Sequence, residues 1–247
     1  MHSSRRLSTL GQINGSNSYL EIGVFKGETF LSLDFKKMHG VDPTFKFDLN
    51  KSKKEGIEFF EMNSDNFFKE ISDENSYDLI FIDGLHTYDQ TYRDFCNCLS
   101  YSHSKSIFVI DDVVPCDSYA GMRNQNFAVN QRINQTNPTP DGSVNIAWMG
   151  DVYRILFLIK IFNSNFEYAT LCDGGNPQIV LWKESSLNNK KYMEKKPFEK
   201  CFNYPFFLQA IENLNNINFD WVMNYCPEIY QFVREEDIFD YLKKIFK

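Results

Sequence analysis

The stretch Tyr77-Asp78-Leu79-Ile80-Phe81-Ile82-Asp83-Gly84-Leu85-His86-Thr87-Tyr88 decides the reading of this chain. It opens with an almost unbroken apolar run that stops at Asp83-Gly84. A strand wetted on one face alternates apolar and polar residues. A strand buried on both faces does not, and parallel sheets are built from the second kind. Residues 88–101 then read as a helix. Ser106-Ile107-Phe108-Val109-Ile110 repeats the pattern, an apolar strand ending in Asp111-Asp112.

The same alternation extends outward in both directions. Residues 18–23 read as a strand entering a glycine turn, 28–38 as a helix, 39–43 as a strand stopped by a proline, 56–61 as a third strand and 65–71 as a short helix. Beyond a loop-like region over 115–147, with a helix near 121–130, come a strong helix over 150–162 and two closing strands over 166–171 and 178–183. This order predicts an α/β fold: a doubly wound, Rossmann-like, seven-stranded and mostly parallel sheet with helices on both faces. Residues 1–17 are polar and read as a flexible lead-in, and 18–183 form the sheet domain. Residues 184–247 read as an aromatic-rich helical extension, either a further packing layer or a lid or homo-oligomer contact.

Composition narrows the function classes. The chain has 247 residues, and 26 Lys+Arg against 33 Asp+Glu leave it at −7, which argues against wrapping a nucleic-acid backbone. Phe, Tyr and Trp make up 16%, ample material for a core. None of the six cysteines shows C-x-x-C spacing, so scattered reduced thiols in a cytoplasmic protein are the expectation rather than a zinc ribbon. No run is long enough for a secretory signal or a membrane span.

In sheets of this class, ligands bind beyond the carboxyl ends of the strands. Those ends carry Glu21 and Gly23, then Asp42, then Asp83, then Asp111 and Asp112. In Glu21-Ile22-Gly23-Val24-Phe25-Lys26-Gly27 the glycines allow a tight turn and close approach of a ligand. Glu21 stands where a dinucleotide fingerprint would have its first glycine, and a carboxylate there repels a pyrophosphate. Asp42, about twenty residues on, is placed to accept from both hydroxyls of a ribose, although Asp before Pro43 also starts turns. Asp83, Asp111 and Asp112 would repel one another unless compensated, and a divalent cation such as Mg²⁺ compensates such a cluster. One Asp capping a helix and another paired with a base is the plainer alternative. His86 lies three residues past Asp83 and is the one histidine with such neighbours, a candidate general base.

Together, residues 19–30, Val41-Asp42-Pro43, residues 77–95 and residues 107–115 resemble the class I S-adenosylmethionine-dependent methyltransferases. The likeness is greatest to the branch whose fourth strand reads I-D-G-x-H-x-Y, and Trp148-Met149-Gly150-Asp151-Val152-Tyr153 is similar to another stretch of that branch. The resemblance spans about residues 18–183. It implies that Glu21, Gly23 and Gly27 cradle the methionine part of the donor, that Asp42 holds its ribose and that Asn63 and Ser64 lie near its adenine. It further implies metal ligation by Asp83, Asp111 and Asp112, as in the metal-dependent catechol- and macrocin-type O-methyltransferases, with His86 as base. The expected acceptor is a hydroxylated small molecule, for example a sugar or glycoconjugate. Ser102-His103-Ser104-Lys105 replaces the usual glycine pair before strand five. A nicotinamide-dependent oxidoreductase on a similar sheet and a non-catalytic assembly protein are the alternatives.

Overall fold

Along β4 (Tyr77–Ile82), Leu79 and Phe81 turn to one side of the sheet, Ile80 and Ile82 to the other, and all four are buried. The unbroken apolar run is therefore a central strand. The structure, a computed structural model, describes residues 2–135, 146–183 and 204–246. Nearest to β4 run β1 (Ser18–Ile22) and β5 (Ser102–Ile110); β2 (Lys37–Asp42) and β3 (Ile57–Glu61) follow beyond β1. Beyond β5 come β7 (Gln178–Lys183), β6 (Phe166–Leu171) and the two-residue β8 (Phe232–Val233). The order is β3-β2-β1-β4-β5-β7-β6-β8, with β7 antiparallel to both neighbours and every other pairing parallel.

The doubly wound reading holds, with one correction: the sheet has eight strands, not seven. The eighth comes from the C-terminal extension, whose Phe232 and Val233 pair with Thr170 and Leu171. Strand order reverses between β1 and β4, which opens a crevice at their carboxyl ends.

One face packs on α3 (Ser64–Glu70), α4 (Tyr88–Ser100), α6 (Ile155–Phe162), α7 (Tyr204–Glu212) and α8 (Phe219–Tyr225). The other packs on α1 (His2–Asn14) and α9 (Glu235–Ile245), from opposite ends of the chain. The short α2 (Leu49–Ser52) and the peripheral α5 (Gln125–Gln135) complete the helices of the described residues. None of these is long and apolar enough to cross a membrane.

Several expectations are corrected. The lead-in is not flexible over its described part: residues 2–14 form α1, with Leu7 and Leu10 fully buried. No helix runs over 28–38. A single 3-10 turn (Phe30–Ser32) stands there, and β2 already begins at Lys37. The cause is aromatic: Phe30 and Phe35 fold down onto Tyr19 of β1, with ring centroids 6.0 and 5.3 Å away. Ser102–Lys105 is not a turn but the irregular start of β5, where the Ser106 hydroxyl donates to the Tyr77 carbonyl at 2.7 Å. The helix expected near 121–130 lies at Gln125–Gln135. Of the helical extension, residues 184–203 lie outside the described residues, and 204–246 are largely helical.

Candidate active site

The carboxyl ends of β1, β2, β4 and β5 surround a cavity of about 860 Å³, within the usual range for a small-molecule site. Glu21, Gly23, Asp42, Asn63, Asp83 and Asp112 are among its walls, and Ser64, His86 and Asp111 also line it.

The β1 loop is shaped by three residues in the left-handed region: Gly23 (φ 92°), Phe25 (φ 46°) and Gly27 (φ 73°). Gly23 is obligatory, because a Cβ there would sit 1.9 Å from the Asp83 carbonyl oxygen. The β1 and β4 termini therefore touch. Glu21 is buried and accepts from the Tyr19 hydroxyl. Burial raises its pKa well above the carboxylate range, against the lowering effect of Tyr19 and with Asp83 and Asp42 adding to the rise. Asp42 accepts the Phe25 amide on Oδ2 and the Thr44 amide on Oδ1, both at 2.8 Å, so its carboxylate is locked against the loop.

Asn63 caps α3, its side chain accepting the Asn66 amide at 2.9 Å. Ser64 borders Asp94, a buried carboxylate of α4 that the sequence reading passed over. Burial pushes Asp94 up to about 6, and Gln90 donates to it at 2.9 Å.

The metal-ligand expectation is redrawn. Asp83, His86 and Asp112 converge, each offering a ligand atom within 4.8 Å of the others. His86 Nε2 lies 3.6 Å from Asp83 Oδ1, and Nδ1 lies 3.1 Å from Asp112 Oδ2. Asp111 is not in that cluster. Its Oδ1 accepts from Asn176 Nδ2 at 2.6 Å and from the Asp112 amide at 2.8 Å, and its Oδ2 accepts from Gln178 Nε2 at 2.8 Å. Asp112 has φ 60°, a conformation that non-glycine residues adopt at a cost and that recurs at functional sites.

Electrostatics follow from crowding in a buried place. Burial raises Asp83, and raises Asp111 well above the usual range with help from the charges of Asp83 and Asp112. Asp112 is pushed up to about 7 by burial, with His86 lowering it and Asp83 raising it. For His86, burial favours the neutral ring. Its contact with Asp83 and the charges of Asp112, Asp83 and Asp111 outweigh this and push it up to about 9. Two carboxylates flanking an imidazole suit a divalent cation in donor type. His86 Nδ1 is also a buried nitrogen that makes no well-formed hydrogen bond. The residues present thus fit such a group.

The stretch from Trp148 to Tyr153 braces His86. The Trp148 indole stacks on the imidazole, centroids 5.0 Å apart at 21°. Gly150 (φ 65°) brings its backbone so close that a Cβ would sit 1.7 Å from the His86 carbonyl oxygen. Asp151, fully buried, accepts the Tyr88 amide at 3.0 Å and pairs with Arg154 at 2.9 Å, fixing the start of α4. The sequence flagged this stretch without a role. Asn176, Gln178 and Arg6 gave no signal at all, being ordinary residues whose importance is purely spatial.

Residues 20–113 match the family described as a methyltransferase domain. In structure, the chain is similar to a protein from Staphylococcus aureus assigned as a caffeoyl-CoA O-methyltransferase, with TM-score 0.50, 15% identity, 73% of this chain and 82% of that one covered. It is also similar to an O-methyltransferase from Bacillus cereus in complex with SAH, with TM-score 0.49, 17% identity and coverages of 73% and 80%. A third is the O-methyltransferase TomG from Streptomyces achromogenes in complex with SAM, with TM-score 0.48, 13% identity and coverages of 73% and 78%. Among curated proteins, none matches the chain. The matched segment runs from β1 through the Asp111-Asp112 pair, which is the part of the sheet that walls the cavity. That match and this strand order make residues 20–113 similar to a methyltransferase domain, carried on a Rossmann-like sheet.

Proposed function

We propose that the protein O-methylates a hydroxyl of a small, hydroxyl-rich acceptor such as a sugar or glycoconjugate, with His86 as general base and a divalent cation such as Mg²⁺ held by Asp83 and Asp112. The observation that carries this reading is the cluster at the cavity floor, where both ring nitrogens of His86 face a carboxylate. When bound, S-adenosylmethionine supplies a sulfonium methyl, and the cation supplies charge that lowers a hydroxyl pKa.

The chain's own residues account for the rest. Glu21, Asp42 and Asp83 line the donor end of the cavity, and a cationic ligand there draws the raised carboxyls of Glu21 and Asp83 back toward their charged forms. Each Asp42 oxygen accepts one backbone amide and retains a second lone pair, the acceptor capacity that a ribose diol needs. Glycine at 23 keeps side-chain bulk out of the loop beside the methionine part, while Gly27, outside the cavity lining, packs against Leu31 and Phe47 and shapes the loop from behind. Asn63 and Ser64 take the adenine side.

His86 is raised by Asp83, Asp112 and Asp111. Compensating those charges brings the ring toward neutrality, where it accepts a hydroxyl proton. Trp148 holds the ring plane, so the imidazole nitrogens stay between Asp83 and Asp112.

The test is methyl transfer from isotopically labelled donor to a panel of polyols, sugars and phenols, with and without a chelator. Label on oxygen, loss of activity on chelation, and a fall of roughly 10²–10⁴ for His86→Ala are expected. Label on nitrogen, or chelator-insensitive transfer by a fully active His86→Ala protein, contradicts the reading.

A further inference from the structure

A buried relay ties the two ends of the chain to the Asp111-Asp112 pair. Arg6 of α1 is fully buried. Its guanidinium donates to Glu235 at the start of α9 (2.5 Å), to the Asp173 carbonyl (2.5 Å), to the Asn176 carbonyl and to Gln178 Oε1 (3.1 Å). It thereby pins the turn between β6 and β7. A guanidinium only donates, so the Gln178 oxygen must face it and the Gln178 NH₂ must face the other way. That NH₂ donates to Asp111 Oδ2 and to Ser3 Oγ, both at 2.8 Å. In the same turn Asn176 Nδ2 straddles the pair, reaching Asp111 Oδ1 at 2.6 Å and Asp112 Oδ1 at 3.2 Å. Held from that side, Asp112 presents Oδ2 to His86.

We infer that Asn176 and Gln178, oriented by Arg6, are positioning residues that hold Asp111 away from the cavity-floor cluster and aim Asp112 into it. The N-terminal helix and the β6–β7 turn thereby become parts of the active centre. Neither lies within the residues that match the methyltransferase family. Asp111 then serves as the fixed neighbour that accepts three hydrogen bonds and anchors the strained Asp112 backbone, rather than as a ligand. Partners that orient ligands in this way commonly carry 10–100-fold in metal affinity.

The inference rests on the cation reading of the site, and titration with Mn²⁺ separates the two. Mn²⁺ binding is measured by electron paramagnetic resonance on the full-length wild type and on Asn176→Ala, alongside S-adenosylhomocysteine affinity by calorimetry and the thermal midpoint. Asn176 is only half-buried in a turn, so its truncation leaves the core intact. Arg6→Lys, which keeps the charge beside Glu235 but loses the fork that fixes Gln178, is the second variant. The expected result is Mn²⁺ affinity at least tenfold weaker in both variants, with S-adenosylhomocysteine affinity within twofold of wild type. Tight wild-type binding that neither variant weakens overturns the inference alone. A wild type that does not bind Mn²⁺ overturns the cation reading and the inference with it. Equal losses of Mn²⁺ and S-adenosylhomocysteine affinity overturn it as well, because they mark a general structural effect.

Discussion

The indole of Trp148 lies against the imidazole of His86, ring centroids 5.0 Å apart, and the indole N–H is tied to the Met122 carbonyl at 2.7 Å. A residue 62 positions away in sequence thus fixes the plane of the proposed base. Trp148→Ala is expected to lower kcat by roughly 10–100-fold, because small misplacements of a reacting group cost that much. Trp148→Phe, which keeps a stacking face, should retain most of the activity. Steady-state kinetics with separate donor calorimetry checks this. A fall in donor affinity instead of kcat would assign Trp148 to the donor site.

Backbone closeness yields a stability prediction. A Cβ at Gly23 or Gly150 would lie 1.9 or 1.7 Å from a carbonyl oxygen of Asp83 or His86, and both glycines have positive φ. Gly15 also has positive φ (71°), but a Cβ there meets nothing within 4 Å. Urea melts should show Gly23→Ala and Gly150→Ala losing more than about 2 kcal/mol, and Gly15→Ala about 1 kcal/mol. Equal losses at all three would mean that the left-handed backbone alone, and not the contact, sets the cost.

His39 predicts a pH dependence. It is buried on β2, and its Nδ1 lies 2.7 Å from the Tyr77 hydroxyl. Burial, partly opposed by Glu58, lowers it to about 4 from 6.5. Between those values the unfolded chain binds a proton that the folded chain refuses. The stability from a neutral His39 is therefore complete above about pH 6.5 and is lost as pH falls toward 4, up to about 3 kcal/mol. Asp112, raised to about 7, works in the opposite direction, so the difference between wild type and His39→Gln isolates the term. That difference should narrow as pH drops from 7 to 4, read from urea melts. A difference that stays constant would show that His39 titrates normally.

Asp151 predicts coupling between α4 and the stretch beneath it. It is the fully buried carboxylate shared by the Tyr88 amide, Arg154 and Arg123, at 3.0, 2.9 and 3.3 Å. Asp151→Ala strands a poorly exposed guanidinium and should cost about 3 kcal/mol, measured by thermal unfolding. Asp151→Asn, which still accepts the Tyr88 amide, should cost less. If the two cost the same, the amide contact is irrelevant and the charge pairing is the whole effect.

The strands were legible because burial on both faces leaves an unmistakable mark: 77–82, 166–171 and 178–183 were read with the observed limits. The candidate residues were legible because this fold puts them at strand ends, and all of them except Gly27 border one cavity. Orientation was not legible. Asp111 and Asp112 are neighbours in sequence, yet a positive φ at Asp112 lets the first serve two amides and the second face His86. Nor was the missing helix after β1 legible, since Phe30, Leu31, Leu33 and Phe35 suit a helix face as well as a folded-down loop. Leu7 and Leu10, one helical turn apart on α1, carried a signal that the surrounding Ser and Asn residues obscured.

The central claim is that Asp83, His86 and Asp112 form a cation-assisted methyl-transfer centre beside the donor cavity. Anomalous diffraction from crystals grown with Mn²⁺ and S-adenosylhomocysteine tests it most directly. The account predicts a single strong anomalous peak within coordination distance of Asp83 and Asp112, Asp111 still bonded to Asn176 and Gln178, and the donor product lying along Glu21, Gly23 and Asp42. S-adenosylhomocysteine bound in that cavity with no peak at the cluster, or a peak ligated by Asp111, would contradict it.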